Sequence, residues 1–154
     1  MHKLKYGNCV YVAKTIGEFL AREFNSDKFG LIDVVTCVPI SKEKLKLRGY
    51  NQTEEILKEF VKHCNISFST TLLKRTKNTV TQTALTKTSR RENLKNAFEV
   101  TSIKEIKNKN VLVIDDVITT GSTLDAIAKT LKENGAKKVY GLTFCHTKSS
   151  SENN

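Results

Sequence analysis

Residues 111–123 read V-L-V-I-D-D-V-I-T-T-G-S-T. Val111, Leu112, Val113 and Ile114 are apolar and mostly β-branched, which suits a strand buried on both faces. Two adjacent carboxylates, Asp115 and Asp116, close the run. Small residues follow: Thr119, Thr120, Gly121, Ser122 and Thr123. Leu124, Ile127, Ala128 and Leu131 then recur at helical spacing. The pattern predicts a strand, an acidic corner, a glycine turn and a helix. In open α/β sheets, ligands bind at the carboxyl ends of strands. A helix N-terminus offers free N–H groups and the positive end of its dipole, which suits a phosphate. Two carboxylates beside a phosphate cradle repel it unless they face sugar hydroxyls or a divalent cation. The stretch therefore reads as a binding site for a phosphorylated sugar. A single aspartate at a strand end is often only a helix cap. An acid pair followed by T-T-G-S-T asks for more than a cap.

Working outward, 154 residues suit one domain with a sizeable core. Apolar and charged fractions of 38% and 27% are those of a soluble globular protein. A formal charge of +10 favours an anionic partner, either nucleic acid or small molecules rich in phosphate. Many of the lysines fall on predicted helix faces, where a solvated basic surface is the ordinary outcome. Cys9, Cys37, Cys64 and Cys145 are far apart and form no C-x-x-C pair, so a zinc ribbon is not supported. Cys37 and Cys145 lie in apolar runs, where buried thiols are common. The cysteine usage points to a reducing compartment. There is no apolar segment of membrane-spanning length, and residues 1–5 lack the apolar centre of a signal peptide. A cytoplasmic location is expected.

Along the chain, Val10, Ala13, Ile16, Leu20 and Phe24 predict a helix over residues 8–25. Residues 31–38, L-I-D-V-V-T-C-V, read as a strand stopped by Pro39, which cannot donate into a ladder. Residues 40–52 read as a polar, basic loop. Ile56, Leu57, Phe60, Val61 and Cys64 predict a second helix. Residues 68–73 look like a further strand. Residues 74–91 carry Lys74, Arg75, Lys77, Lys87, Arg90 and Arg91, no acid, and many threonines. A connection this long is usually a lid or a binding loop. Ser89 and Glu92 have capping-box spacing, so a short helix through Leu94 is expected. Residues 98–100 predict a brief strand, and Asn134-Gly135 ends the helix after the glycine turn. Residues 138–145 are a last strand. Strands alternate with helices, so the fold class is α/β with a mostly parallel sheet. The expected organisation is one domain over residues 1–147 and a polar tail over residues 148–154.

These residues carry a family resemblance. V-L-V-I-D-D-V-I-T-T-G-S-T resembles the phosphoribosyl-pyrophosphate (PRPP) signature of the type I phosphoribosyltransferases. V-P-I-S-K-E-K-L-K-L-R-G-Y-N-Q, L-L-K-R-T-K-N-T-V-T-Q-T-A-L-T and R-R-E-N-L-K-N-A-F resemble the ComF family, a competence-associated group with a phosphoribosyltransferase-like domain. The likeness covers about residues 3–147. Many relatives carry an N-terminal four-cysteine zinc module, which this sequence does not contain. The resemblance implies a type I phosphoribosyltransferase fold: a mostly parallel twisted sheet flanked by helices, with a small hood and a flexible loop.

By the same resemblance, Asp115 and Asp116 hold the ribose hydroxyls. Thr119, Thr120, Gly121, Ser122 and Thr123 cradle the 5′-phosphate. The loop carrying Ser41 and Lys42 lies near the pyrophosphate, and residues 74–91 occupy the place of the flexible catalytic loop. Lys42, Arg48, Arg75, Arg90 and Arg91 are candidates for touching the pyrophosphate, with Arg90 counted among the catalytic residues beside Asp115 and Asp116. Mg2+ is the implied cofactor, bound mainly through substrate oxygens and by Asp115 and Asp116 if by any protein group. The implied function is transfer of phosphoribose from PRPP to an unidentified acceptor, linked to DNA uptake. The alternative is a non-catalytic protein that senses PRPP or a nucleotide, or that associates with single-stranded DNA. Competence-machinery proteins and a second copy of the chain are further candidate partners.

The chemistry agrees with these assignments. Displacing pyrophosphate from a ribose carbon passes through a cation-like sugar, as in glycosyl transfer generally, and requires no covalent nucleophile. It requires neutralisation of a doubly phosphorylated leaving group and exclusion of water. Two rival readings fail. A Walker B strand needs a partner G-x-x-x-x-G-K-[ST], and no glycine here precedes a lysine; nor is there a G-x-G-x-x-G. A helix–turn–helix over residues 127–139 fails because the residues after Gly135 are β-branched and aromatic.

Overall fold

The computed structural model describes residues 10–24, 26–76, 94 and 96–146. In chain order these form α1 (Val10–Glu23), the single turn α2 (Ser26–Phe29), β1 (Val34–Cys37), α3 (Lys42–Arg48) and α4 (Gln52–Lys62). There follow β2 (Leu73–Arg75), β3 (Phe98–Val100), a 3-10 turn over Ile103–Glu105, β4 (Asn110–Ile118), α5 (Ser122–Glu133) and β5 (Lys138–His146).

β4 is the centre of a parallel three-stranded sheet in the order β1-β4-β5. Val34 to Cys37 pair in register with Val111 to Ile114, and Asn110 pairs with Lys138 at the start of the β5 ladder. Side chains alternate across a strand, so β4 divides its apolar residues between two cores. Val111 and Val113 face Ile127 and Leu131 of α5, together with Leu73 of β2 and Phe98 of β3. Leu112 and Ile114 face Ala13, Ile16 and Leu20 of α1 and Ile56, Leu57 and Phe60 of α4. All of these β4 residues are at most 1% exposed, which is why the run shows no polar alternation. Burying each such side chain contributes about 1.5–3 kcal/mol. β2 and β3 form a separate antiparallel pair, with Leu73 opposite Val100 and Arg75 opposite Phe98.

The α/β class and the parallel sheet stand as expected, with three differences in the elements. The strand of residues 111–114 extends to Ile118, so the acid pair sits within the strand rather than at a corner after it. The basic segment after Pro39 contains a helix. Ser41 Oγ accepts from Lys44 N at 3.4 Å to start it, and Gly49, at φ 77°, donates to Leu45 O at 2.8 Å to end it. α3 buries none of its residues, so hydrophobic periodicity could not reveal it. Of the strand expected at residues 68–73, Phe68 makes one bridge with Val35 and Leu73 opens β2, and Leu72 and Leu73 are buried in the α5-side core. The expected helix from Ser89, the rest of the lid beyond Thr76 and the C-terminal tail lie outside the described residues.

α1 and α4 cross closely at Gly17. A Cβ there would lie 2.6 Å from Glu59 Cβ and 2.7 Å from Ile56 O. Gly17→Ala gains about 1 kcal/mol of helix propensity but must open a close helix contact, which costs about 1–3 kcal/mol. A lower denaturation midpoint is expected for Gly17→Ala; an unchanged or raised midpoint would show that the helices can part freely.

Candidate functional site

The site forms where β4 leaves the sheet. Its last residues, Val117 and Ile118, still pair with Cys145 and His146 of β5. Thr119 to Gly121 then turn the chain into α5. Gly121 is the N-cap, at φ 74° in the left-handed region, and has no side chain with which to cap. Thr120 Oγ1 lies 2.9 Å from Ser122 Oγ and accepts from Ser122 N at 3.4 Å, which closes the turn on itself. The hollow over it, about 30 Å³, is lined by Asp115, Val117, Ile118 and every residue from Thr119 to Leu124. The structure thus brings Asp115 together with all five residues assigned to the phosphate cradle. The hollow lies at the N-terminus of a 12-residue helix, the positive end of its dipole, and the hydroxyl-bearing residues Thr119, Thr120, Ser122 and Thr123 line it.

The acid pair is divided by strand alternation. Asp115 is on the face of Val111 and Val113 and lines the hollow. Asp116 is on the face of Leu112 and Ile114, where Gln52 of α4 donates from Nε2 to its Oδ2 at 3.4 Å. The two are 8% and 5% exposed. Each also accepts from the following amide: Asp116 N donates to Asp115 Oδ1 at 2.8 Å, and Val117 N to Asp116 Oδ1 at 2.9 Å. The end of β4 thus carries one carboxylate on each face of the sheet.

Of the basic residues, Lys42 and Arg75 meet in one cleft of about 240 Å³, with Glu43, Lys74 and Thr76. Arg75 is half-buried, its guanidinium 5.5 Å from the Phe98 ring centroid, and burial pushes its pKa down. Ser41 is buried as the α3 cap. Arg48 takes another direction: its Nη1 donates to Gln52 Oε1 at 3.3 Å, which links it to Asp116 through Gln52. Arg90 and Arg91 lie outside the described residues. Asn51 caps α4, accepting from Thr53 N at 3.3 Å, and both Asn51 Nδ2 and Thr53 Oγ1 donate to Val38 O, at 3.1 and 2.7 Å. These bonds fasten the N-terminus of α4 to the end of β1. His146 ends β5 exposed.

Gln52 was missed from the sequence. It reads there as one more polar residue of a basic loop, and only the alternation that turns Asp116 toward α4 brings the two together. Away from this site, Glu18, Glu59 and His63 bring ligand atoms within 4.8 Å of one another, but Lys62 already donates to Glu59 at 2.7 Å. That bond, the largest cause, holds the Glu59 carboxyl below its usual range. Burial pushes the Cys37 thiol, behind the site on β1, up to about 12, so it is uncharged at neutral pH.

With a small hollow after a parallel strand and a carboxylate on each face of that strand, the chain belongs to the phosphoribosyl transferase domain family over residues 13–154. It is similar to Competence protein F of Haemophilus influenzae, 33% identical over 149 residues, 92% of this chain and 65% of that protein. It is likewise similar to DNA utilization protein YhgH of Escherichia coli O157:H7, 30% identical over 96% of this chain and 66% of that protein. The chain spans about two thirds of the length of these relatives. The resemblance to the ComF family therefore stands. In fold, it matches a hypoxanthine-guanine phosphoribosyltransferase of Bacillus anthracis with a TM-score of 0.59, at 12% identity, over 94% of this chain and 75% of that one.

Gly121→Ala tests the turn. No atom lies within 4 Å of the added Cβ, so the cost is the left-handed backbone alone, about 1–2 kcal/mol. A lower unfolding midpoint is expected, and a neutral substitution would contradict the turn geometry.

Proposed function

We propose that this chain binds PRPP at the end of β4 and transfers its phosphoribosyl group to an acceptor, in a cytoplasmic role linked to DNA uptake. The observation that carries the reading is the hollow shared by Asp115 and residues 119–124. The cradle suits a 5′-phosphate, and the carboxylates on the two faces of β4 suit the ribose hydroxyls between them. The cleft of Lys42, Lys74 and Arg75 supplies cations of the kind a pyrophosphate requires. The names of the relatives, which speak of competence and DNA utilization, support the link to DNA uptake.

Mg2+ fits the donor set: Asp115, Asp116 and the threonine hydroxyls are hard oxygen ligands, and no thiolate or imidazole competes among the residues lining the hollow. Asp115 and Asp116 would hold it together with substrate oxygens. Bound there, it would neutralise leaving-group charge. The chain's own residues bind and orient: the α5 N-terminus fixes the phosphate, and the acid pair fixes the sugar and stabilises positive charge developing on it. Among the described residues no helix is long and apolar enough to cross a membrane.

A second reading has its own support. α3 exposes Lys42 and Lys46 on a chain of formal charge +10, and attraction of phosphates by such cations suits association with a single-stranded nucleic acid.

Thermal unfolding with ligand separates the two. PRPP with Mg2+ raises the midpoint of the wild-type protein, and the shift is lost in the Asp115→Asn, Asp116→Asn double variant. No shift, or the same shift in the variant, would overturn the PRPP reading. A shift with single-stranded DNA that survives moderate salt favours the second reading, since generic phosphate attraction is salt-sensitive. Pyrophosphate release with a panel of nucleobases and amines then tests turnover.

A further inference from the structure

Gln52 is 5% exposed and stands between a cation and an anion. Arg48 Nη1 donates to its Oε1 at 3.3 Å, and its Nε2 donates to Asp116 Oδ2 at 3.4 Å. The orientation of this amide follows from chemistry. A guanidinium has only donors and a carboxylate only acceptors, so the amide oxygen must face Arg48 and the NH2 group must face Asp116. With Val117 N donating to Oδ1 at 2.9 Å, both oxygens of Asp116 are held and the plane of its carboxylate is set. Arg48, in the last turn of α3, is thereby coupled to Asp116 through the Gln52 amide. The mounting is rigid: Gln52 opens α4, and Asn51 and Thr53 tie that end to Val38 O at the end of β1.

We propose that Gln52 is a positioning residue that holds Asp116, with Arg48 behind it, as the sugar-facing acceptor on the α4 side of the strand. The claim rests on the phosphoribosyl reading above. Gln52 acts on the ribose end of the ligand and not on its phosphate.

Dissociation constants for ribose 5-phosphate and for inorganic phosphate, measured by calorimetry, separate the two ends. Gln52→Leu is expected to weaken ribose 5-phosphate about 10-fold, the scale of coupling between residues in one hydrogen-bond network. Inorganic phosphate changes by less than about twofold, as for a site with no shared partner. Gln52→Met keeps the volume and removes the donor without adding charge; it is expected to give the same selective loss and serves where the leucine variant does not fold. In an Asp116→Asn background, Gln52→Leu costs no more than about a further twofold, because its partner is already gone. Equal binding by wild type and variant, equal loss for both ligands, or additive losses in the double variant would each overturn the role of Gln52 while leaving the phosphoribosyl reading intact. A wild-type protein that binds neither PRPP nor ribose 5-phosphate overturns that reading, and this role with it.

Discussion

A strand buried on both faces has no place for two carboxylates unless each finds hydrogen-bond donors. β4 is such a strand, and it carries Asp115 and Asp116 at 8% and 5% exposure. Leaving a buried carboxylate without donors costs several kcal/mol. The fold meets that demand locally, through the amides of Asp116 and Val117, and from α4 through Gln52. Both acids lie where parallel pairing with β5 is about to end, at the rim of the sheet. The cost of burying charge is thus limited by position. The same alternation that sorts Val111 and Leu112 into different cores puts the two acids on opposite faces of the strand.

The elements around β4 then have specific tasks. α5 begins after a three-residue turn, and its first turn lines the hollow. β1 ends at Cys37, and the next residue provides Val38 O, to which Asn51 and Thr53 bind. α3 places Lys42 at one end, in the cleft with Arg75, and Arg48 at the other, against Gln52. One short helix therefore serves both the basic cleft and the acid pair.

Much of this was legible in the sequence because it depends on local order. Four apolar residues, two acids and T-T-G-S-T encode the strand, the site and the helix start by adjacency alone. The periodicity of Ile56, Leu57 and Phe60 encodes α4 because that helix buries one face. α3 was illegible for the converse reason: it buries nothing and is specified by its caps, Ser41 and Gly49. The extent of β4 was illegible because aspartate disfavours strands, and only pairing with β5 holds it there. Gln52 could not be assigned, since its partner is 64 residues away and the contact depends on which face Asp116 takes. The division of Asp115 and Asp116 does follow from period-two alternation once the strand is known to continue through them.

The most direct test of the account follows backbone amide shifts by NMR while PRPP with Mg2+ is added. The account predicts that the largest changes fall on residues 115–124, with Gln52 side-chain signals moving alongside them. A separate cavity, about 670 Å³, lies elsewhere, against Lys14, Lys58, Lys62 and Phe68 of α1, α4 and the segment after it. Changes centred on that cavity, with residues 119–123 unmoved, would contradict the placement of the ligand at the end of β4.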